Sequence, residues 1–538
     1  MTLDLKQRAF KADEITYLDR KTILLDRMLL NLFELLRFDG RPAVRRRRRG
    51  IDIPAILQLI HEHPERFPGF DRHDEATEAW LSNSLLEIMN RGKPGREVVV
   101  GPRPLHLNAF KLANPSAMAD HGASMQVWAL LHYADPGILA RLKSFFGRGV
   151  DPASDRYDGT TPLDLETLAV LGLVDQVTVD HATAAAPSVI KPLCVGQGHL
   201  LADDLRRLLA YEGAVPRHVL ATYIRTVLGL HLALFVLRLL PLVPDRVDGA
   251  RRRRPCADCP LEAGETLDAT RCPYHLELVV DLTDDPATPS AALARASAAT
   301  HLERLTPYVR AVILLNRVKD FAAVQALQGK RPPVRSVDDL LDVLGRPPAD
   351  VDGFFNARIS DALDCGADEA EDPVERALVR LDALSPLEKY VELVCLQRTK
   401  DERSRLIRLI DSLAQKNRPG GFLRQTAGAR APRWFALGST LLETLVQIAV
   451  LERDQDGMLR SRALLIDDFV EWLRTRYGFV VYAPAHRDEA VPPEEQEAWR
   501  HNRQAFRERL HQIGFFVDLS DAYNSQTIRP RYEVSAHE

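Results

Sequence analysis

The chain has 538 residues, enough for three or four domains of ordinary size, each able to bury its own core without staples. Its 71 Lys and Arg oppose 75 Asp and Glu, which excludes attraction to nucleic acid by bulk charge and confines any such contact to local patches.

From the N terminus, Met1 to Lys6 carries charges where an export signal needs an apolar core. Leu18 to Phe38 repeats Ile23, Leu24, Met28, Leu29, Leu32 and Leu35 at three and four residues, the period of an amphipathic helix. Arg45 to Arg49 follow between Pro42 and Gly50; five adjacent like charges do not share a packed face, so they form a loop or an exposed arm. Ile53 to His63 and Glu75 to Met89 read as two more helices, and Glu97 to Val100 as a strand. His61, His63 and His73 have no nearby thiol to complete a metal shell and read as surface histidines. Gln126 to Phe146 is helical in two pieces divided at Pro136 and Gly137. From Thr160 a helix opens on Pro162 and runs into a strand at Val174, Val177 and Val179.

Leu200 to Tyr211 and Val215 to Leu240 are the most apolar part of the chain, and the second belongs inside a helical bundle. The apolar run Thr226 to Val243 is broken by His231, Arg238 and Pro241, which argues for a core helix and against a membrane span. Arg251 to Arg254 then lead into Cys256-Ala257-Asp258-Cys259, a loop of twelve residues, and Cys272-Pro273-Tyr274-His275. Two ligand turns across a short loop are how small knuckles hold a tetrahedral zinc ion. Cys256, Cys259, Cys272 and His275 would close a structural Zn2+ shell with no open position for a substrate; free thiols or a disulfide pair are the alternative. The arginine run beside them is a nucleic-acid contact or a solvated loop. Cys194, Cys365 and Cys395 stand alone, which fits a reducing compartment and predicts a cytoplasmic protein. His275 to Leu282 leave the knuckle as a strand.

Ala291 to Leu305 and Tyr308 to Leu327 return to helix around Pro307. Ser336 with Asp339 reads as a helix-start cap, and another helix begins near Ser385. Between them Asp361 to Glu375 is acidic with no Lys or Arg, a solvated surface or connection. From Ser412 to Leu442 there is no acid, while Lys416, Arg418, Arg424, Arg430 and Arg433 are interleaved with Phe422 and Trp434. Guanidinium groups there can lie against phosphates, with Gly420 and Gly421 letting the backbone come close; an interdomain loop paired with acids elsewhere is the other reading. Thr440 to Leu451, Ile466 to Arg476 and Glu494 to Ile513 are three helices, the second stopped by Gly478. Phe515 to Leu519 and Thr527 to Val534 can pair through the Ser520 to Gln526 turn, completing the order of a winged helix. On the third helix Arg500, Gln504, Arg507 and His511 share a polar stripe of the kind a recognition helix presents, and Arg529 and Arg531 fall on the wing.

No phosphate loop, Gly-x-Ser-x-Gly elbow or His-Glu-x-x-His pair occurs, and Asp281, Asp284 and Asp285 lack a Lys partner at nuclease spacing. The pattern predicts a mainly α chain with small β elements. It divides into an N-terminal helical/α+β region (1–185), a central helical module with the zinc knuckle (186–335), a helical connector with the basic loop (336–432) and a winged-helix-like domain (433–538). The expected role is non-catalytic and away from membranes: contact with double-stranded DNA through Lys416, Arg418, Arg424, Arg430, Arg433, Arg500 and Arg507, or adaptation between proteins. A protein-only scaffold and a metal-dependent nuclease are the alternatives.

Lys416-Asn417-Arg418-Pro419-Gly420-Gly421 and the ending Leu519-Ser520-Asp521-Ala522-Tyr523 to Arg529-Pro530-Arg531-Tyr532 resemble accessory proteins of bacterial antiphage islands. The nearest likeness is to methylation-associated defence systems, with phosphorothioation-dependent restriction components as neighbours. The resemblance is strongest over the last third. It implies a multi-gene system in which other subunits modify DNA, hydrolyse nucleotides or cut, while this one binds and assembles. It assigns no functional residue.

Overall fold

The computed structural model describes residues 10–41, 52–65, 67, 69–93, 95–151, 154–174, 189–249, 256, 258–364, 373–428, 430–483, 492–516 and 527–534. The fold is mainly α-helical with short strands. Its axis is helix Arg217–Asp248, whose 32 residues span about 48 Å at 1.5 Å per residue. Nearly every side chain from Leu220 to Val243 is buried, so the helix has no face to give to water and must be jacketed. Helices Leu25–Arg37, Ala123–Ala134, Gly196–Leu209, Leu305–Leu327, Val337–Gly345, Pro386–Leu413 and Ser439–Ala449 pack around it. Among the described residues it is the one helix long and apolar enough to cross a membrane, and it lies buried in that jacket.

Distant parts of the chain meet in a four-stranded sheet, in the order Phe479–Val480, Leu278–Asp281, Arg433–Ala436, Leu423–Gln425. The first three run parallel, with Phe479 opposite Leu278 and Val280 opposite Phe435; Leu423–Gln425 returns antiparallel, Leu423 opposite Phe435. Parallel strands need helical cover. Helix Pro289–Glu303 packs on the two middle strands, and helix Pro493–Gln512 packs on that helix. Asn502 pins these layers together: its Nδ2 donates to Val280 O at 2.8 Å and Val481 O at 2.5 Å, and its Oδ1 accepts from Leu282 N at 2.8 Å. Gly478, at φ 83°, turns helix Ile466–Tyr477 into the edge strand; a Cβ there would stand 2.1 Å from Leu276 O.

Two helix starts follow the local chemistry read from the sequence. Capping boxes at Ser336 with Asp339 and Ser385 with Glu388 open helices Val337–Gly345 and Pro386–Leu413. Other elements depart from expectation. The helix predicted through Met89 ends at Leu85, and Leu86–Met89 is a strand paired antiparallel with Val98–Pro102. The stretch predicted as a basic loop contains the sheet hairpin Leu423–Gln425 and Arg433–Ala436. The winged-helix order is also revised: Thr527–Ile528 pairs with Leu464–Leu465, and Phe479–Val480 leaves the three helices for the central sheet. Phe479, Val480 and Val481 are apolar throughout, and the central sheet and its helical cover bury them. The sheet thereby joins segments from three of the four predicted regions. Arg45 to Arg49, Val177, Val179, Arg251 to Arg254, Cys365 and the Ser520 to Gln526 turn lie outside the described residues.

Candidate nucleic-acid interface and cysteine cluster

Helix Pro386–Leu413 runs out into the Lys416 to Gly421 turn, where Gln415 (φ 47°) and Asn417 (φ 59°) take left-handed backbone positions that side chains disfavour. Asn417 offsets this by bonding Gln425 N and O with its side chain, both at 2.9 Å. Gly421 is required by the chain itself, since a Cβ would meet Gln415 O at 2.1 Å and Ala414 O at 2.4 Å. The close approach expected between these glycines and a phosphate is therefore an internal one. Pro419 O accepts from Leu441 N at 3.1 Å, so the turn caps helix Ser439–Ala449.

The expected DNA-facing cations divide by their surroundings. Arg433 makes two bonds to Asp411, at 2.7 and 2.8 Å, and Lys416 reaches the same carboxylate at 2.6 Å. Arg424 lies 3.7 Å from Asp284, which also pairs with Arg509. Arg418, Arg430 and Arg500 are exposed. Arg507 is half-buried with its Nε unpartnered, while Trp499, Asn502, Phe506 and Leu510 turn the other side of its helix inward.

A positive surface that the sequence reading missed lies on helix Pro386–Leu413. Thr399, Lys400, Arg403, Ser404 and Arg408 line a groove with Asp411, completed by Lys416, Gln425 and Arg433. Arg408 also borders a second groove with Lys11, Arg20, Lys21 and Arg405. Among the described residues Lys400, Arg403, Arg405 and Arg408 form no ion pair. The signal was a helical period, since Lys400, Arg403, Ser404, Arg408 and Asp411 recur on one face.

The acids after the central strand are engaged. Asp281 is buried, its Oδ1 accepting from Ser290 Oγ at 2.7 Å and Thr283 Oγ1 at 2.8 Å, and Asp284 is held by Arg509 and Arg424. Among the described residues no three His, Cys, Asp or Glu side chains, as placed, form a ready shell for an ion.

Cys259 and Cys272 are buried, Cys256 is half-buried, and the described cysteines are all free thiols. Their turns are closed by Cys259 N to Cys256 O at 3.3 Å and His275 N to Cys272 O at 3.0 Å, and Tyr274 N–H donates to Cys272 Sγ at 3.4 Å. His275, expected as the fourth ligand, points elsewhere: its ring is 44% exposed and its Nε2 stands 3.8 Å from Glu277 Oε1. Cys194, also buried, acts electrostatically on Cys256 and Cys272. Burial, then the proximity of Cys194, Cys272 and Cys259, pushes the Cys256 thiol up to about 12, and burial followed by Cys194 does the same to Cys272.

A family model described as methylation-associated defense system protein MAD7 matches residues 5–532. The chain belongs to the MAD7 family. That bears out the resemblance drawn from the basic turn and the C-terminal segment and extends it over nearly the whole length. Comparisons with curated proteins and with solved structures give no match. Membership of the MAD7 family makes the chain a component of methylation-associated antiphage defence. The MAD7 match takes in both the basic groove and the cysteine turns.

Proposed function

We propose that this member of the MAD7 family is a non-catalytic adaptor that holds duplex DNA and other subunits of its defence system on a zinc-stabilised helical body. The groove on helix Pro386–Leu413 carries the reading. Lys400, Arg403 and Arg408 have no carboxylate partner among the described residues, and Lys416 and Arg433 share the single charge of Asp411. Thr399, Ser404 and Gln425 add neutral groups suited to phosphate oxygens. Contacts of this kind position a duplex without reading its bases, which leaves recognition of sequence or methylation to partner subunits. Arg418, Arg430 and Arg500, exposed outside the groove lining, are further candidate phosphate contacts.

The test is binding of the purified chain to duplex DNA by fluorescence anisotropy across salt concentrations. About four uncompensated contacts give a log–log slope near −3.6, a loss on the order of 100-fold between 50 and 200 mM salt. Arg403→Glu with Arg408→Glu should weaken binding and flatten the slope by about 2. Unchanged affinity and slope would remove the groove from the interface. Leu396, 54% exposed in the same groove, favours a second reading, a scaffold that docks only proteins. Partners retained after nuclease treatment, with no DNA binding by the isolated chain, would select it. Metal-dependent cleavage of DNA by the chain alone would refute the non-catalytic role.

A further inference from the structure

We propose that Cys194 is the fourth ligand of an all-cysteine zinc site with Cys256, Cys259 and Cys272, and that the buried Arg238 is its counter-charge. The proposal rests on the reading that the cysteine turns hold zinc and replaces His275 in the ligand set.

Cys194 lies far upstream, immediately before helix Gly196–Leu209, and is itself buried. Tertiary contact brings it to the turns. Gly196 sits against the loop between them: a Cβ there would stand 2.8 Å from Leu261 Cγ and 3.1 Å from Leu261 C and O, and its N–H donates to Glu262 Oε2 at 3.0 Å. The Gln197 N–H bonds the Cys194 sulfur as the Tyr274 N–H bonds Cys272, and a helix N-terminus favours a thiolate beside it.

Arg238 is the independent observation. It is fully buried in the central helix, and its Nε, Nη1 and Nη2 all lack a hydrogen-bond partner among the described residues. It acts electrostatically on both Cys194 and Cys272, which places the charge beside the thiols. A guanidinium keeps its proton on burial, so a permanent cation lies near Cys194 and Cys272 with no hydrogen-bond partner among the described residues. Binding of Zn2+ forms four Zn–S bonds and releases four thiol protons to solvent, leaving a net charge of −2 that Arg238 partly balances. His275, exposed and turned to Glu277, is not needed to close the shell.

The deciding measurement is zinc content and X-ray absorption at the zinc edge on the full-length protein as isolated. One zinc per chain in a shell of four sulfurs supports the proposal. Three sulfurs and one nitrogen overturn the role of Cys194 while sparing the zinc reading, and absence of zinc overturns both. His275→Ala should keep its zinc and Cys194→Ser should lose it; the reverse pattern is fatal to the ligand set. If Cys194→Ser does not fold, the absorption spectrum of the parent still decides. Arg238→Met should lower zinc affinity against a competing chelator by roughly 10- to 100-fold, as loss of outer-shell partners does; unchanged affinity would remove Arg238 from the site.

Discussion

Arg476 joins helix Ile466–Tyr477 to the helix that follows Cys194, and its removal has a calculable effect. The guanidinium is 4% exposed, donates from Nε to Asp204 Oδ1 at 2.8 Å and from Nη2 to Asp203 Oδ2 at 2.8 Å, and also reaches Leu200 O at 3.3 Å. In Arg476→Met the two acids fare differently. Asp203 keeps Arg207 at 2.8 Å and Arg453 at 3.0 Å, whereas buried Asp204 keeps only His231 and the Tyr477 hydroxyl, each at 2.7 Å. Burial holds His231 below its ordinary value, while Asp204 loses its guanidinium partner and keeps hydrogen bonds in its place. Breaking a buried pair in this way costs about 3–5 kcal/mol, two to three and a half orders of magnitude in the local opening equilibrium. A chain of this size does not unfold in one step, so native-state hydrogen exchange of helices Gly196–Leu209 and Ile466–Tyr477 is the suitable assay.

Acidity adds a second arm to the same prediction. Burial alone would raise both carboxyls, but Arg476, helped by Arg207 at Asp203 and by His231 at Asp204, brings them below the usual carboxylate value. Depressed carboxylates stabilise the parent above their unfolded pKa, about 3.9, and that stability drains away as pH falls through the folded values. Without Arg476, burial governs Asp204 and raises its folded pKa, so protection in Arg476→Met should recover as acid neutralises that group. A loss below about 1 kcal/mol, the range of exposed pairs, or the same pH dependence in both proteins would refute the reasoning.

Asp411→Asn should tighten DNA binding and steepen the salt slope by about 1, because it frees Lys416 and Arg433 from their shared carboxylate; anisotropy titrations read both. Asn502→Leu leaves Val280 O, Val481 O and Leu282 N unpaired, at about 1–3 kcal/mol for each buried orphan, and faster exchange of the central strands should report it. Gly478→Ala should lower the local opening free energy of helix Ile466–Tyr477 by more than about 1 kcal/mol, read by native-state hydrogen exchange, since the left-handed backbone and the carbonyl of Leu276 both oppose a Cβ.

Local chemistry was legible in the chain by itself. Apolar period three to four, Ser with Asp or Glu three residues on, and a glycine at a helix end act over one or two turns, so the helices and caps at Ser336, Ser385 and Gly478 could be placed from residue order. The family likeness carried by the Lys416 to Gly421 turn was readable for the same reason. Long-range choices were not. Phe479 and Val480 are apolar, which names no partner strand, and only the tertiary structure sets them beside Leu278 and Val279. The cations of the basic stretch look alike in sequence, yet Asp411 and Asp284 engage three of them while helix Pro386–Leu413 exposes another set. The role proposed for Cys194 rests on the contact of Gly196 with Leu261, and that proposed for Arg238 on a burial that no spacing rule describes. A side chain's charge and period belong to the residue, whereas its partner is set by which surfaces the folded chain presses together.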